Sequence, residues 1–439
     1  MTGSSQGDVR QDHQGQSLLL GEYDNMLACV RCGLCLTSCP TYVLTLHEAE
    51  GPRGRIAMAR ALAEGHLTVT PDLVTHELNC LVCEACTAIC PAGVHMEPIQ
   101  VALRATLAAG RQDPWWRRLT RALGYRAVLA DMRRLRRGVR LLWLAQRLGL
   151  VWLARRSGLL RLLGLSRAAV LLPPLPRRFL VPRGETYPAL NGGEAPQRVL
   201  FFAGCVMSTM LAEIDRASIR VLQRAGCTVV NPAGQGCCGA LHAHDGDLET
   251  ARALARQTIA AFAGEEPVIV NSAGCGAMLK GYVHLLRDDP AWAERAAAFA
   301  ARVRDFTEFL AERPPPLRRE VQAVATYQDA CHLLHAQRIS RQPRELLRAV
   351  PGLELKELGN GGLCCGSAGV YNLTHPEQAR RLGERKVAQA LATGAQLLIT
   401  ANPGCLLHLR ALLAEQGHAM RVRHLAEVLD EATAEEGEA

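Results

Sequence analysis

The sequence predicts an α+β protein: a helical, cysteine-rich N-terminal module followed by two repeated α/β units, each built on a parallel sheet. Three observations predict it. The spacing C-x2-C-x2-C-x3-C-P occurs twice between residues 29 and 91. Short apolar, β-rich runs that end in cysteine recur in the same order in two later segments. Helical stretches such as IDRASIRVLQRAG and PEQARRLGERKVAQALATG fill the gaps, and strand alternating with helix is the pattern of a parallel sheet.

Taken in order, the chain divides into five segments. Residues 1–21 are polar, rich in Gln, Gly, Ser and Asp, and read as a disordered N-terminus. They lack the basic start and apolar core of an export signal, so a cytoplasmic location is expected. Residues 22–105 hold the first eight cysteines, with a helix expected around GRIAMARALAEG between Cys39 and Cys80. Residues 106–195 form an Arg-rich helical connector that ends in the breaks PPLPRR and VPRG. The two repeats occupy 196–312 and 318–430, separated by ERPPPLRRE.

The net charge of +8 is concentrated in the connector. Between Arg117 and Arg178 there are 16 Arg against one acid, Asp131, which gives +15 locally and leaves −7 for the rest. Arg interrupts every apolar run before it reaches the roughly eighteen residues of a membrane span. The pattern fits an amphipathic surface lying on the cytoplasmic face of the inner membrane or on a partner. It fits equally a solvated linker packed on its own protein. Few polar, base-reading residues accompany the arginines, so no nucleic-acid partner is expected.

The repeats follow from their landmarks. RVLFFAGC and VATYQDAC open them, GQGCCGA and GGLCCGSAG form their middles, and PVIVNSAGC and LLITANPGC close them. Each opening and closing run reads as a buried strand with its cysteine just past the carboxyl end, where the ligand crevice of an open α/β sheet lies. The first repeat thus offers Cys205, Cys237, Cys238 and Cys275, and the second Cys331, Cys364, Cys365 and Cys405. Adjacent cysteines seldom bridge each other, which favours metal over disulfides. A cubane cluster, a cluster shared between repeats, a metal-free redox thiol site and plain packing all stay open. His244, His332, His335 and His408 stand near these motifs as candidate ligands or donors, whereas Cys227, in RAGCTVV, reads as core packing.

GQGCCGA also spells G-x-G-x-x-G through Gly234, Gly236 and Gly239, the pattern of a dinucleotide loop. Such a loop leaves a strand and opens a helix, whereas this stretch follows an Asn231-Pro232 turn. Its second copy keeps only the CCG core. The glycines therefore read as freedom to point two thiols into one crevice. No credible flavin loop, nicotinamide loop or nucleophile elbow is present, so no catalytic residue is assigned.

Seventeen cysteines without an export signal point to metal or redox chemistry in a reducing compartment. Cys29, Cys32, Cys35 and Cys39, followed by Pro40, and Cys80, Cys83, Cys86 and Cys90, followed by Pro91, suit tightly wrapped clusters. A pair of structural zinc sites is the alternative. The double motif resembles two-cluster bacterial ferredoxins. That resemblance implies one 4Fe-4S cluster on Cys29, Cys32, Cys35 and Cys90 and a second on Cys39, Cys80, Cys83 and Cys86. Arg31, Arg53 and Arg55 would tune potentials by nearby charge or serve as loop anchors.

The later cysteines resemble the CCG domain of heterodisulfide reductases and of iron-sulfur subunits of several flavin dehydrogenases. There a fifth cysteine completes the site; here Met278 and His408 stand in its place. From about residue 22 onward, ACVRCGLCLTSCPTY, LNCLVCEACTAICPAGV, NSAGCGAMLK and LCCGSAGVYNLTHPEQA together resemble the iron-sulfur subunits of bacterial glycolate oxidase. The resemblance implies an electron-transfer subunit with two 4Fe-4S clusters and a candidate further cluster in the repeats. FAD would reside only in partner subunits that oxidise glycolate to glyoxylate, with a quinone or other acceptor downstream. Iron-sulfur subunits of glycerol-3-phosphate or lactate dehydrogenases, and a disulfide reductase subunit, are the alternatives.

Overall fold

A computed structural model of the chain describes residues 18–110, 122–190, 196–359 and 362–435. Most of the expected disordered N-terminus, residues 1–17, lies outside the described residues, as do the first arginines of the connector. The chain forms two compact units, Met1–Tyr125 with Gly239–Ala253, and Arg126–Cys238 with Leu254–Ala439. The middle of the first repeat thus contributes a segment to the N-terminal unit.

The N-terminal unit is a set of short helices. Pro40, Pro52 and Pro71 each start one, Pro40–Thr45, Pro52–Ala63 and Pro71–Leu78, because a first helical residue needs no N–H donor. Pro52–Ala63 is the helix expected from GRIAMARALAEG. Its Ile56, Ala59 and Leu62 pack with Leu19, Met26, Ile99, Leu103 and Leu107 in one buried cluster, which joins it to helix Met96–Gly110. Gly54 lets the helix start lie against the preceding turn, since a Cβ there would sit 2.1 Å from the Glu48 carbonyl oxygen.

The second unit holds two sheets. The first comprises β1 (Glu185–Tyr187), β2 (Gln197–Phe202), β3 (Cys227–Asn231), β4 (Val268–Val270) and β5 (Val303–Asp305) in the order β1-β3-β2-β4-β5. The second comprises β6 (Ala323–Gln328), β7 (Leu353–Lys356), β8 (Leu397–Thr400) and β9 (Arg421–His424) in the order β7-β6-β8-β9. Every pairing is parallel except that of β1 with β3. The orders β3-β2-β4-β5 and β7-β6-β8-β9 are the same topology written twice. The opening and closing runs read from the sequence are β2, β4, β6 and β8, and each ends where its cysteine segment begins.

The two repeats are not separate beads. Val199, Phe201 and Ile269 of the first share one buried cluster with Ala325, Leu398 and Ile399 of the second. Arg220 and Arg224, on helix Ala212–Arg224, both pair with Asp430 of the second repeat. Cys227 opens β3 and is fully buried in that cluster, the packing role expected of it. The connector enters through helix Met132–Arg147, capped by Asp131, and buries Met132, Leu135 and Val139 against Cys205 and Cys237.

Candidate metal centres

In the N-terminal unit the two cysteine motifs fold into matching loops. The first takes left-handed backbone at Arg31 and Gly33, with φ of 56° and 83°, and the second at Val82 and Glu84, with φ of 49° and 63°. These positions coincide when the motifs are superposed in sequence. A β-branched residue such as Val82 adopts this conformation at a cost, of about 1–3 kcal/mol. The shared curl turns successive thiols toward one side.

Two adjoining cavities result. Cys29, Cys32, Cys35 and Cys90 line one, together with Val30, Arg53 and Ile56. Cys39, Cys80 and Cys83 line the other, with Arg55 and Leu81. Cys86 borders both. Among the described residues no three Cys, His, Asp or Glu side chains enclose a position for a single metal ion. Tetrahedral zinc, with bonds near 2.3 Å, would draw its sulfurs to about 3.8 Å of one another. Thiols spread around a cavity instead suit a polynuclear cluster.

Burial sets the electrostatics. It pushes the Cys35 thiol up to about 11 and raises Cys80 and Cys86 as well, so thiolates here need compensating positive charge. Arg55, 1 % exposed, supplies some. Its guanidinium lies 3.9 Å from Cys39 Sγ, donates to the Glu50 carbonyl at 2.6 Å and pairs with the Glu50 carboxylate at 2.8 Å. Despite its burial, the charge of Cys80, Cys39, Glu77 and Glu50 holds it protonated. Arg104 is a second buried cation that the sequence reading missed. It donates to the Cys80 carbonyl at 2.5 Å and to the His244 carbonyl at 2.7 Å, and nothing in its surroundings in sequence marks it. Arg53 is a half-buried anchor, paired with Glu48 and donating to the Arg31 carbonyl.

Each repeat gathers its four cysteines at the carboxyl ends of three adjacent strands. In the first, Cys205 lies 3.6 Å from Cys237 and Cys238 3.5 Å from Cys275, sulfur to sulfur. In the second, Cys331 lies 4.0 Å from Cys364 and Cys365 3.2 Å from Cys405. Seven of the eight are buried and Cys275 is half-buried; none of the seventeen cysteines is in a disulfide. Hydrogen bonding to a neighbouring thiol and burial push Cys205, Cys238 and Cys331 far up. Cys275 is the exception, lowered by donors from Cys238 and Ser272. It sits in the first turn of helix Ala273–Lys280, as Cys405 does in helix Pro403–Glu415.

The candidate histidines scatter. His332 Nδ1 is 3.7 Å from Cys331 Sγ. His335 meets the Gly362 carbonyl, and His244 lies 3.9 Å from Glu97. His408, at the place of the missing fifth cysteine, is buried between the Ala379 carbonyl and Arg167, at 3.1 and 3.3 Å. It is a structural contact rather than a fifth donor. The stretch GQGCCGA needs a correction. It does run from a strand, β3, into a helix, Ala240–His244, capped by Gly239 at φ 87°, so topology is no argument against a phosphate loop. The contents of the loop decide the matter: its two central side chains are buried thiols aimed at Cys205 and Cys275, and the helix is only five residues long.

Comparison with known proteins gives three family matches: a 4Fe-4S dicluster domain over residues 28–94, a cysteine-rich domain over 199–280 and 325–410, and the linker region of glycolate oxidase iron-sulfur subunits over 116–170. The chain is 40 % identical over 418 residues to a probable glycolate oxidase iron-sulfur subunit of Bacillus subtilis, covering 93 % of this chain and 94 % of that one. It is 33 % identical to the glycolate oxidase iron-sulfur subunit of Escherichia coli, covering 94 % and 96 %. A lactate utilization protein A of Exiguobacterium matches 53 % of this chain over 97 % of its own length, at 33 % identity.

Proposed function

The chain belongs to the family of glycolate oxidase iron-sulfur subunits, and on that premise we propose that it carries electrons from glycolate, oxidised to glyoxylate on an FAD-bearing partner subunit, to a quinone or another acceptor. Two 4Fe-4S clusters, when bound, supply one-electron transfer. The observation that carries the reading is the pair of adjoining cavities in the N-terminal unit, lined between them by all eight motif cysteines. Cys29, Cys32, Cys35 and Cys90 are the proposed ligands of one cluster, and Cys39, Cys80, Cys83 and Cys86 of the other. Arg55 and Arg104 offset negative charge beside the second set, while the first set lies nearer the solvent, with Cys32 exposed. Both thiol quartets of the repeats are the proposed seat of a further cluster.

A quinone acceptor requires work at a membrane surface. No helix among the described residues is long and apolar enough to cross a membrane, so contact would be peripheral, on the cytoplasmic face and through the connector. Anaerobic reconstitution with iron and sulfide counting tests the core of the proposal. About eight irons per chain fill the two cavities, and a higher count fills the repeats as well. Stoichiometric zinc without sulfide refutes it.

A further inference from the structure

The connector is anchored at both ends and largely unburied between them. Its first helix buries Met132, Leu135 and Val139 beside Cys205. At its far end helix Ser166–Leu171 brings Arg167 to Glu415, at 3.2 Å. From Arg140 to Leu172 no residue is buried, although thirteen of these residues are leucine. Ten of the twenty-one exposed large hydrophobic side chains among the described residues fall between Leu141 and Leu165, with Leu162 84 % and Trp152 63 % exposed. That concentration leaves much of the connector's apolar surface outward, although Leu142, Trp143 and Leu172 pack on the protein.

The backbone divides this surface. Gly149, Gly158 and Gly164 adopt left-handed φ of 71°, 75° and 68° and break the segment into helices of seven, four and six residues, Leu150–Arg156, Leu159–Leu162 and Ser166–Leu171. Six arginines and no acid stand among residues 140–172, and Arg156 rests 5.6 Å from the ring centre of Trp152.

We infer that residues 140–172 dock on an anionic phospholipid bilayer, with leucines and Trp152 at the boundary of headgroups and acyl chains and the arginines on lipid phosphates. Charge complementarity points to this partner: six arginines and no acid are interspersed among the leucines of the whole face, and a sheet of lipid phosphates meets them wherever along it they stand. A bilayer accepts that mixture because arginine stems lie on apolar surface while their heads reach the phosphates. Interfacial tryptophan fits the same position. The inference rests on the electron-transfer reading only for the purpose of the contact, because vesicle binding is read without reference to iron.

The test is sedimentation of the full chain with phosphatidylcholine vesicles, with and without phosphatidylglycerol. Binding is expected to be about tenfold tighter with phosphatidylglycerol and to weaken in high salt. The double substitution Trp152→Glu with Leu162→Glu, at two exposed positions, should weaken it about tenfold more with no change in Tm. Quenching of tryptophan fluorescence by brominated lipid should fall in Trp152→Phe. A chain that stays in the supernatant with phosphatidylglycerol overturns the inference. So does a double variant that binds as tightly as the parent, or vesicle binding abolished once purified flavin subunits cover this face. Reconstitution with about eight irons alongside absent binding would sink the docking surface and leave the electron-transfer reading standing.

Discussion

The two repeats of the second unit have the same strand order and the same four-thiol plan, yet burial works on opposite kinds of group in them. In the first, the fully buried side chains driven toward their neutral form, beyond cysteine and tyrosine, are acids. Asp215 is pushed far up and Asp305 to about 6. In the second they are bases. Lys386 is lowered, and His408 and His424 are pushed down to about 4; the buried acid there, Asp329, is neutralised by Arg344. Asp215 faces the charge of Cys275, whereas Lys386 faces Cys364, Cys365 and Cys405. A duplicated scaffold has kept its sulfur positions and exchanged the sign of what surrounds them. The second quartet is therefore the better host for negative charge.

The largest expected effect of that difference is on stability against pH. A histidine kept neutral by burial gains a proton only on unfolding. His408 and His424 therefore leave the second repeat at full stability above about pH 6.5 and lower it as the pH falls toward 4, by about 3 kcal/mol each at the lower end. Asp305 has the other sign. Its folded value is raised, so its contribution is complete below about pH 4 and is lost as the pH rises through 6, again by about 3 kcal/mol. Hydrogen exchange, corrected for intrinsic rates, should show the segment Arg421–Thr433 losing protection in acid while Val303–Glu312 gains it. Loss of protection in the same direction in both would break the contrast.

A smaller effect isolates the thiols. Lys386→Met keeps the volume of a buried side chain on helix Pro376–Ala392 and removes its charge. Iodoacetamide should then label Cys364 and Cys365 of the metal-free chain about tenfold more slowly, the equivalent of one pKa unit. Cys237 and Cys238 should react as before. Equal slowing of both quartets would mean a general change in packing and would remove the electrostatic distinction.

How much of this was legible follows from the range of each interaction. The eight N-terminal cysteines and the eight of the repeats could be read because their spacing is local and their strands are continuous apolar runs. β3 and β7 escaped because CTVVN and LELK do not end in the cysteine that marked the other strands; β5 is only VRD, and β9 begins with arginine. Arg104, Lys386 and Asn402 escaped for another reason. Each acts on a partner brought close only by the fold, and an isolated arginine, lysine or asparagine has no pattern. The apolar and basic connector was visible as composition, but whether it packs inward or outward is a property of the folded chain alone.

Asn402 gives the smallest test and the one most specific to the meeting of the repeats. Ser272 and Asn402 occupy the same place, before the helices that carry Cys275 and Cys405. Each donates to the thiol three residues on, Asn402 at 3.6 Å. Asparagine has a second polar atom that serine lacks, and its Oδ1 accepts from the Gly274 N–H of the first repeat at 3.1 Å. The adjoining Ala273 N–H donates to the Ala401 carbonyl at 3.2 Å. Helix Ala273–Lys280, whose own N-cap side chain makes no capping bond, is thus capped by the other repeat. Asn402→Ser should preserve the donor to Cys405 and remove the bond to Gly274, costing about 1 kcal/mol. Exchange at Gly274 should quicken about fivefold, which is what that cost implies, while Cys405 labels as before. Unchanged exchange would show that the Ala401 carbonyl holds the helix start alone, and faster labelling of Cys405 would mean that serine fails to reproduce the donor.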